Sequence, residues 1–148
     1  LRGPLERFGR ALDYRFARPE LLQQALTHRS AAALNNERLE FLGDALLDLF
    51  VAEALFDRFQ HADEGQLSRL RARLVRKESL SGVARTLQLG DYLILGAGEL
   101  RSGGHGRDSI LADALEAVVA AVYLDGGLEP ARRVVLRLLE TSLQDLRP

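Results

Sequence analysis

The residues of this chain best equipped for chemistry are six carboxylates in two groups. Glu37, Glu40, Asp44 and Asp48 form the first group, and Asp113 and Glu116 the second. On a helix turning about 100° per residue, the first four fall within an arc of roughly 80°. Asp113 and Glu116, at i and i+3, also share a helix face. The steps from Glu40 to Asp44 and from Asp44 to Asp48 pair like charges at i,i+4, each costing about 0.2–0.5 kcal/mol. No Lys or Arg stands at those spacings to offset them. Buried without a partner, such groups cost far more. Positive charge must then come from outside the helix, as a metal ion or as an arginine. The plainer alternative is a solvated acidic face.

The elements that carry these groups point toward burial. Asn35-Asn36 precedes an apolar-periodic run with no proline as far as Phe59, which predicts one long helix from about Asn36 to Phe59. Leu39, Leu42, Ala45, Leu46, Leu49, Phe50 and Phe56 occupy most of its circumference. A helix apolar nearly all round belongs inside a protein, so its acidic stripe is expected to be enclosed. The second acidic helix, capped by Asp108 or Ser109 and running to about Leu124, is apolar almost throughout, with Asp113 and Glu116 its only interior acids. Ser109, Ala117 and Ala120 share their face and would let another helix approach closely. Placing the patches opposite one another puts Glu40, Asp44, Asp113 and Glu116 in one pocket, where four carboxylates cannot all stay ionised without cations. Oxygen-only ligation, with no cysteine and no paired histidine, suits Mg²⁺ or Mn²⁺.

The remaining chain reads as supporting helices. Leu5, Phe8 and Leu12 give one face of a helix from Pro4 to Leu12. Pro19 opens a second. Thr27-His28-Arg29-Ser30 and a small-residue linker follow; His28 is expected to be structural, and His61 and His105 to have no role. Gln66 to Lys77 is an amphipathic helix with Leu67, Leu70 and Leu74 inward. Its Arg69, Arg73, Arg76 and Lys77 could meet a phosphate backbone, neutralise Glu37 or Asp48, or simply face solvent. Ser79 is expected to cap a further helix ended by Gly90, then a short extended piece from Asp91 to Leu95. Gly96 to Arg107, with five glycines, is expected to be a mobile loop; it lacks the spacing of a phosphate-binding loop. Asp125-Gly126-Gly127 ends the second acidic helix, and one amphipathic helix starting at Leu128-Glu129-Pro130 closes the chain.

Bulk properties exclude some functions. The 148 residues fit one domain with a real core. No apolar run approaches the roughly 20 residues of a membrane helix. The absence of cysteine rules out disulfides and suits a reducing cytoplasm. A net charge of −1 does not announce a nucleic-acid binder, so any such role needs a local patch. Lys77 is the lone lysine in an arginine-rich chain, which reads as a compositional bias.

Two blocks carry a family resemblance. Asn36 to Leu46, NERLEFLGDAL, closely resembles the signature motif of the ribonuclease III family, bacterial type. Asp108 to Ala117, DSILADALEA, resembles that family's catalytic helix. Thr27 to Ser30, Leu67 to Lys77 and Tyr123 to Gly127 match in order and spacing. The resemblance implies an all-α, homodimeric endonuclease-domain fold over residues 1–148, with no double-stranded RNA-binding domain present in this chain. It implies that Glu40, Asp44, Asp113 and Glu116 are the metal-binding carboxylates, with Asp44 and Glu116 central to catalysis and Mg²⁺ (or Mn²⁺) as cofactor. Glu37 would support RNA or the dimer, and Phe41 would make a subunit contact. Arg69, Arg73, Arg76, Lys77 and Arg107 would be RNA contacts, although Arg101 to Arg107 is less basic than the family pattern. The implied activity is hydrolysis of double-stranded RNA by a metal-activated water, leaving 5′ phosphates, 3′ hydroxyls and short 3′ overhangs, in rRNA and mRNA processing. Two other readings are a non-cleaving RNA-binding or ribosome-associated module of the same fold, and an unrelated helical phosphohydrolase acting on nucleotides.

Overall fold

The computed structural model describes residues 2–148, with side chains from Gly3 onward; Leu1 lies outside the described residues. The helices are α1 (Arg2–Leu12), α2 (Pro19–Ala25), α3 (Glu37–Arg58), α4 (Glu64–Val75), α5 (Lys77–Thr86), α6 (Ala97–Arg101), α7 (Asp108–Gly126), α8 (Leu128–Leu138) and α9 (Glu140–Gln144). Short 3₁₀ turns form at Leu89–Tyr92 and Gly104–Gly106. Among the described residues no strand forms, and one parallel bridge joins Thr27 to Ile94.

The central element is α7. Every residue from Ile110 to Val122 except Asp113 is buried, because α2, α3, α5 and α8 pack around it. Its alanines and valines leave room for that crowding. The Leu22, Leu26, Phe50, Val51, Leu55, Leu80, Leu111 and Leu115 side chains fill the spaces between the helices.

The second long helix, α3, matches the expected span but not the expected burial. Leu39, Leu46, Leu47, Phe50, Val51 and Leu55 face the core. Phe41 is 83% exposed, Phe56 71% and Leu49 45%, and Ala45 is exposed between them. The helix is therefore apolar all round for two reasons: one face packs inward and another forms an uncovered apolar stripe. The acidic stripe lies between these faces. It is partly open, with Asp44 exposed and Glu40 and Asp48 half-buried.

Asn36 does not cap α3 with its side chain. Its buried amide donates to the Ala25 carbonyl at 3.0 Å, and its backbone N–H donates to Thr27 at 2.9 Å. Asn35 supplies the local bond instead, accepting from the Glu37 N–H at 3.0 Å. The first turn of α3 is thus anchored to α2.

Other local expectations also shift. Asp63 and Gln66 form a capping box, so α4 starts at Glu64. The backbone breaks at Arg76, in an extended conformation, and α5 begins at Lys77. Ser79 lies inside α5 and donates to the Arg73 carbonyl. This helix ends at Thr86, before Gln88 in the left-handed region. Gly90 belongs to the following 3₁₀ turn, where a β-carbon would collide with the His105 carbonyl. The expected mobile loop from Gly96 to Arg107 instead forms α6 and a 3₁₀ turn, tied by Arg107 to Glu99 at 2.6 Å. Neither Asp108 nor Ser109 caps α7; Asp108 sits in its first turn, paired with Arg85. Two helices, α8 and α9, close the chain where one was expected.

Candidate active site

The crossing of α3 and α7 builds the site. At Gly43 the two backbones touch, and a β-carbon there would fall on the Glu116 carbonyl. A glycine inside a helix costs about 1 kcal/mol relative to alanine; here it admits a neighbouring main chain. The contact sets Glu40 and Asp44, which flank Gly43, against Asp113 and Glu116.

Those four carboxylates line one pocket of about 480 Å³, together with Glu37, Phe41, Arg76 and Lys77. Carboxylate oxygens of Glu40, Asp113 and Glu116 lie within 4.8 Å of one another. Asp44 is not among these three converging groups; it lines the same pocket, and its charge is felt at Glu116. A larger cavity of about 850 Å³ lies beside α1 and α2, but its acids Glu6 and Asp13 are interspersed with Arg10 and Arg15. Size does not locate the chemistry here; convergence of ligand atoms does.

The electrostatics show what the cluster lacks. Burial pushes the Glu116 carboxyl up to about 9, helped by Asp44 and by repulsion from Asp113 and Glu40. Glu40 is raised by burial, then by Asp113 and Glu37. Asp113 is raised by burial despite the opposing charges of Lys77, His28 and Arg29. Protein cations therefore offset only part of the cost. A divalent ion fits this all-oxygen donor set: three carboxylates already converge, with no histidine in the group.

The remaining sequence candidates separate. Glu37 sits at the pocket edge, 3.6 Å from Arg29. Phe41 lines the pocket and opens onto the uncovered stripe of α3. Arg76 reaches Glu78 at 3.9 Å, while Lys77 lines the pocket itself. Arg69 and Arg73 are exposed on α4. Arg107 is engaged by Glu99 and by the Ser102 carbonyl, so its guanidinium already has internal partners. Burial and Asp44 raise Asp48, which Arg71 opposes.

His28 accepts from the Ser30 N–H at Nδ1, and its charge is felt at Asp113. Sequence reasoning missed Arg29, Arg71 and the role of Asp125. Arg29 stood inside the Thr27 to Ser30 block, which was the available signal. For Arg71 and Asp125 the partners are distant in the chain or on another helix, and no local pattern marks them.

An all-helical domain whose two central helices cross at a glycine and converge their carboxylates defines the class. The family model described as Ribonuclease-III-like matches residues 18–143, and the chain belongs to that family. It is 59% identical over 142 residues to Ribonuclease 3 of Nitrosococcus oceani, covering 96% of this chain and 61% of that protein. It is 61% identical over 142 residues to Ribonuclease 3 of Pseudomonas fluorescens, covering 96% and 62%. The chain thus spans less than two thirds of these relatives' length. The nuclease domain of ribonuclease III from Campylobacter jejuni, in which a region involved in dimer formation is flexible, superposes with a TM-score of 0.92 at 46% identity, covering 95% of this chain and 99% of that one.

Proposed function

We propose that residues 1–148 act as the catalytic domain of a divalent-metal-dependent endonuclease that hydrolyses the phosphodiester bonds of double-stranded RNA. The products are 5′-phosphate and 3′-hydroxyl ends with short 3′ overhangs. The convergence of Glu40, Asp44, Asp113 and Glu116 on one pocket carries the reading. Relatives named Ribonuclease 3 support it.

In this reading Glu40, Asp113 and Glu116 hold Mg²⁺, and Asp44 completes the ligand set. A bound divalent ion supplies Lewis acidity and lowers the pKa of a water. The protein's own contribution is to present preassembled oxygens. Glu116, held protonated by burial and by the neighbouring acids, would have to give up its proton to serve as a ligand. Arg69, Arg73 and Arg76 offer phosphate contacts; Arg107 would first have to leave Glu99.

Two copies joined through the exposed stripe of α3 would form a symmetric dimer that carries two sites, one available to each strand of a duplex. A domain that only bound RNA would have no need for four clustered acids. No helix of the described residues is long and apolar enough to cross a membrane. The reading places the protein in the cytoplasm, acting on rRNA and mRNA precursors.

The test is incubation of the chain with a long RNA duplex and Mg²⁺, followed by end analysis. Cutting should disappear with EDTA, and Glu116→Gln should slow it on the order of 1000-fold, the rate equivalent of about 4 kcal/mol. A variant as active as the parent would remove Glu116 from the mechanism.

A further inference from the structure

Lys77 is the only lysine among 20 lysine and arginine residues, and it stands in the wall of the carboxylate pocket. Compositional bias explains why the other basic residues are arginine. It does not explain why the exception falls here.

Three observations give the position meaning. First, the break at Arg76 starts α5 at Lys77 and directs the side chain to the pocket's edge. Second, neighbouring cations are occupied: Arg76 pairs with Glu78 and Arg29 with Glu37. Lys77 makes no ion pair among the described residues, although its charge is felt at both Glu40 and Asp113. Third, an arginine would behave differently. Its planar fork grips carboxylates bidentately, whereas an ammonium is a compact, strongly hydrated point charge. Converging carboxylates as close as Glu40 and Asp113 would be closed by a guanidinium; beside an ammonium they stay open.

We propose that Lys77 is a tethered counter-charge that sets the affinity of the carboxylate pocket for divalent cations, and that it is lysine because arginine would occupy the ligands. The inference rests on the metal-binding part of the reading above and not on RNA cleavage. Lys77 opposes each entering ion, which keeps binding reversible. It also lowers the repulsion among the acids while no ion is present.

The experiment is calorimetric titration of the chain with Mg²⁺ near neutral pH for the parent, Lys77→Met and Lys77→Arg. Lys77 is exposed, so both variants should keep the parent's helical circular dichroism. Lys77→Met should bind Mg²⁺ about three- to tenfold more tightly, and Lys77→Arg more weakly by a similar factor. A lysine with only a structural role would leave the Mg²⁺ affinity unchanged in both variants. Equal affinities in all three proteins, or tightest binding by Lys77→Arg, would overturn the proposal. If the affinity order holds while the parent leaves duplex RNA intact, the counter-charge stands and the nuclease reading falls. If the parent cuts RNA and the affinities are equal, the reverse is true.

Discussion

Gly43 of α3 lies against the main chain of Glu116 in α7, with no room between them for a methyl group. This contact holds the two acidic segments at the distance the site requires. Gly43→Ala should gain about 1 kcal/mol of helix propensity. It should lose more than that, about 3 kcal/mol net, because backbone cannot yield as a flexible side chain can. Thermal unfolding measures the loss. The folded remainder should also bind Mg²⁺ more weakly, since the helices must separate. A variant as stable as the parent would show that the close approach is not needed.

Glu116 makes the metal-free chain sensitive to pH. Its folded pKa, about 9, lies above the ordinary glutamate value of 4.5. Between these values the folded state binds more protons than the unfolded state, so this group's contribution to stability falls as pH rises. Glu116→Gln removes the ionisable group, so the metal-free variant should melt higher than the parent, increasingly so from pH 5 to 9. Excess Mg²⁺ should narrow or reverse the difference, because only the parent gains by binding it. Melting curves across that range, with EDTA or with Mg²⁺, give the comparison. A gap independent of pH would mean that Glu116 is ionised in the free chain.

These two residues also show what the sequence could reveal. Two periodic helices with acids at three- and four-residue spacing were enough to pair Glu40 and Asp44 with Asp113 and Glu116. Exposure was not legible, because an apolar residue facing a core and one awaiting another surface look the same in a chain; Phe41 and Phe56 are the cases. Asn36 has the chemistry of a cap, yet tertiary packing turns its amide to Ala25. Arg76 breaks α4 from α5 without a glycine or proline to mark it. The Gly96 to Arg107 segment is shaped partly by the pair of Arg107 with Glu99, which composition alone does not disclose.

Asp125 ties the C-terminal end of α7 to the segment after α1. Its buried carboxylate accepts from the Tyr14 hydroxyl at 2.6 Å, the Ala17 N–H at 2.9 Å and the Arg18 N–H at 2.7 Å. Burial opposes its ionisation, but these bonds together outweigh burial and leave the group below the usual aspartate value. That stability is present above the unfolded pKa near 3.8 and is lost as pH falls through the folded pKa. Tyr14 is the alkaline counterpart, pushed up to about 12 by burial and by Asp125. Its contribution is complete below pH 10 and fades as pH rises toward 12. Tyr14 should therefore supply a late step in an ultraviolet titration, and Tyr14→Phe should abolish that step. Asp125→Ala should cost about 2–3 kcal/mol at pH 7 by leaving two N–H groups without their acceptor. Loss of the late step in Asp125→Ala as well would confirm the coupling, and an unchanged titration in Tyr14→Phe would refute it.

Phe41, Leu49 and Phe56 test the subunit reading. They form an exposed apolar line on a helix whose opposite side is core. Such a line is costly in water and marks a surface for another macromolecule. Under twofold symmetry each residue is buried twice, so one substitution counts twice. Burial of a phenylalanine contributes about 1.5–3 kcal/mol, and Phe56→Glu should weaken association by more than about 100-fold. Light scattering should give twice the chain mass for the parent and the single mass for the variant at the same concentration. Because Phe56 is already exposed, the variant should keep its helical signal and bind Mg²⁺ as the parent does. On duplex RNA it should lose paired cuts on the two strands, since that outcome needs two sites held across one duplex. A parent that runs as a single chain at high concentration would remove the dimer from the account, while leaving the carboxylate pocket untouched.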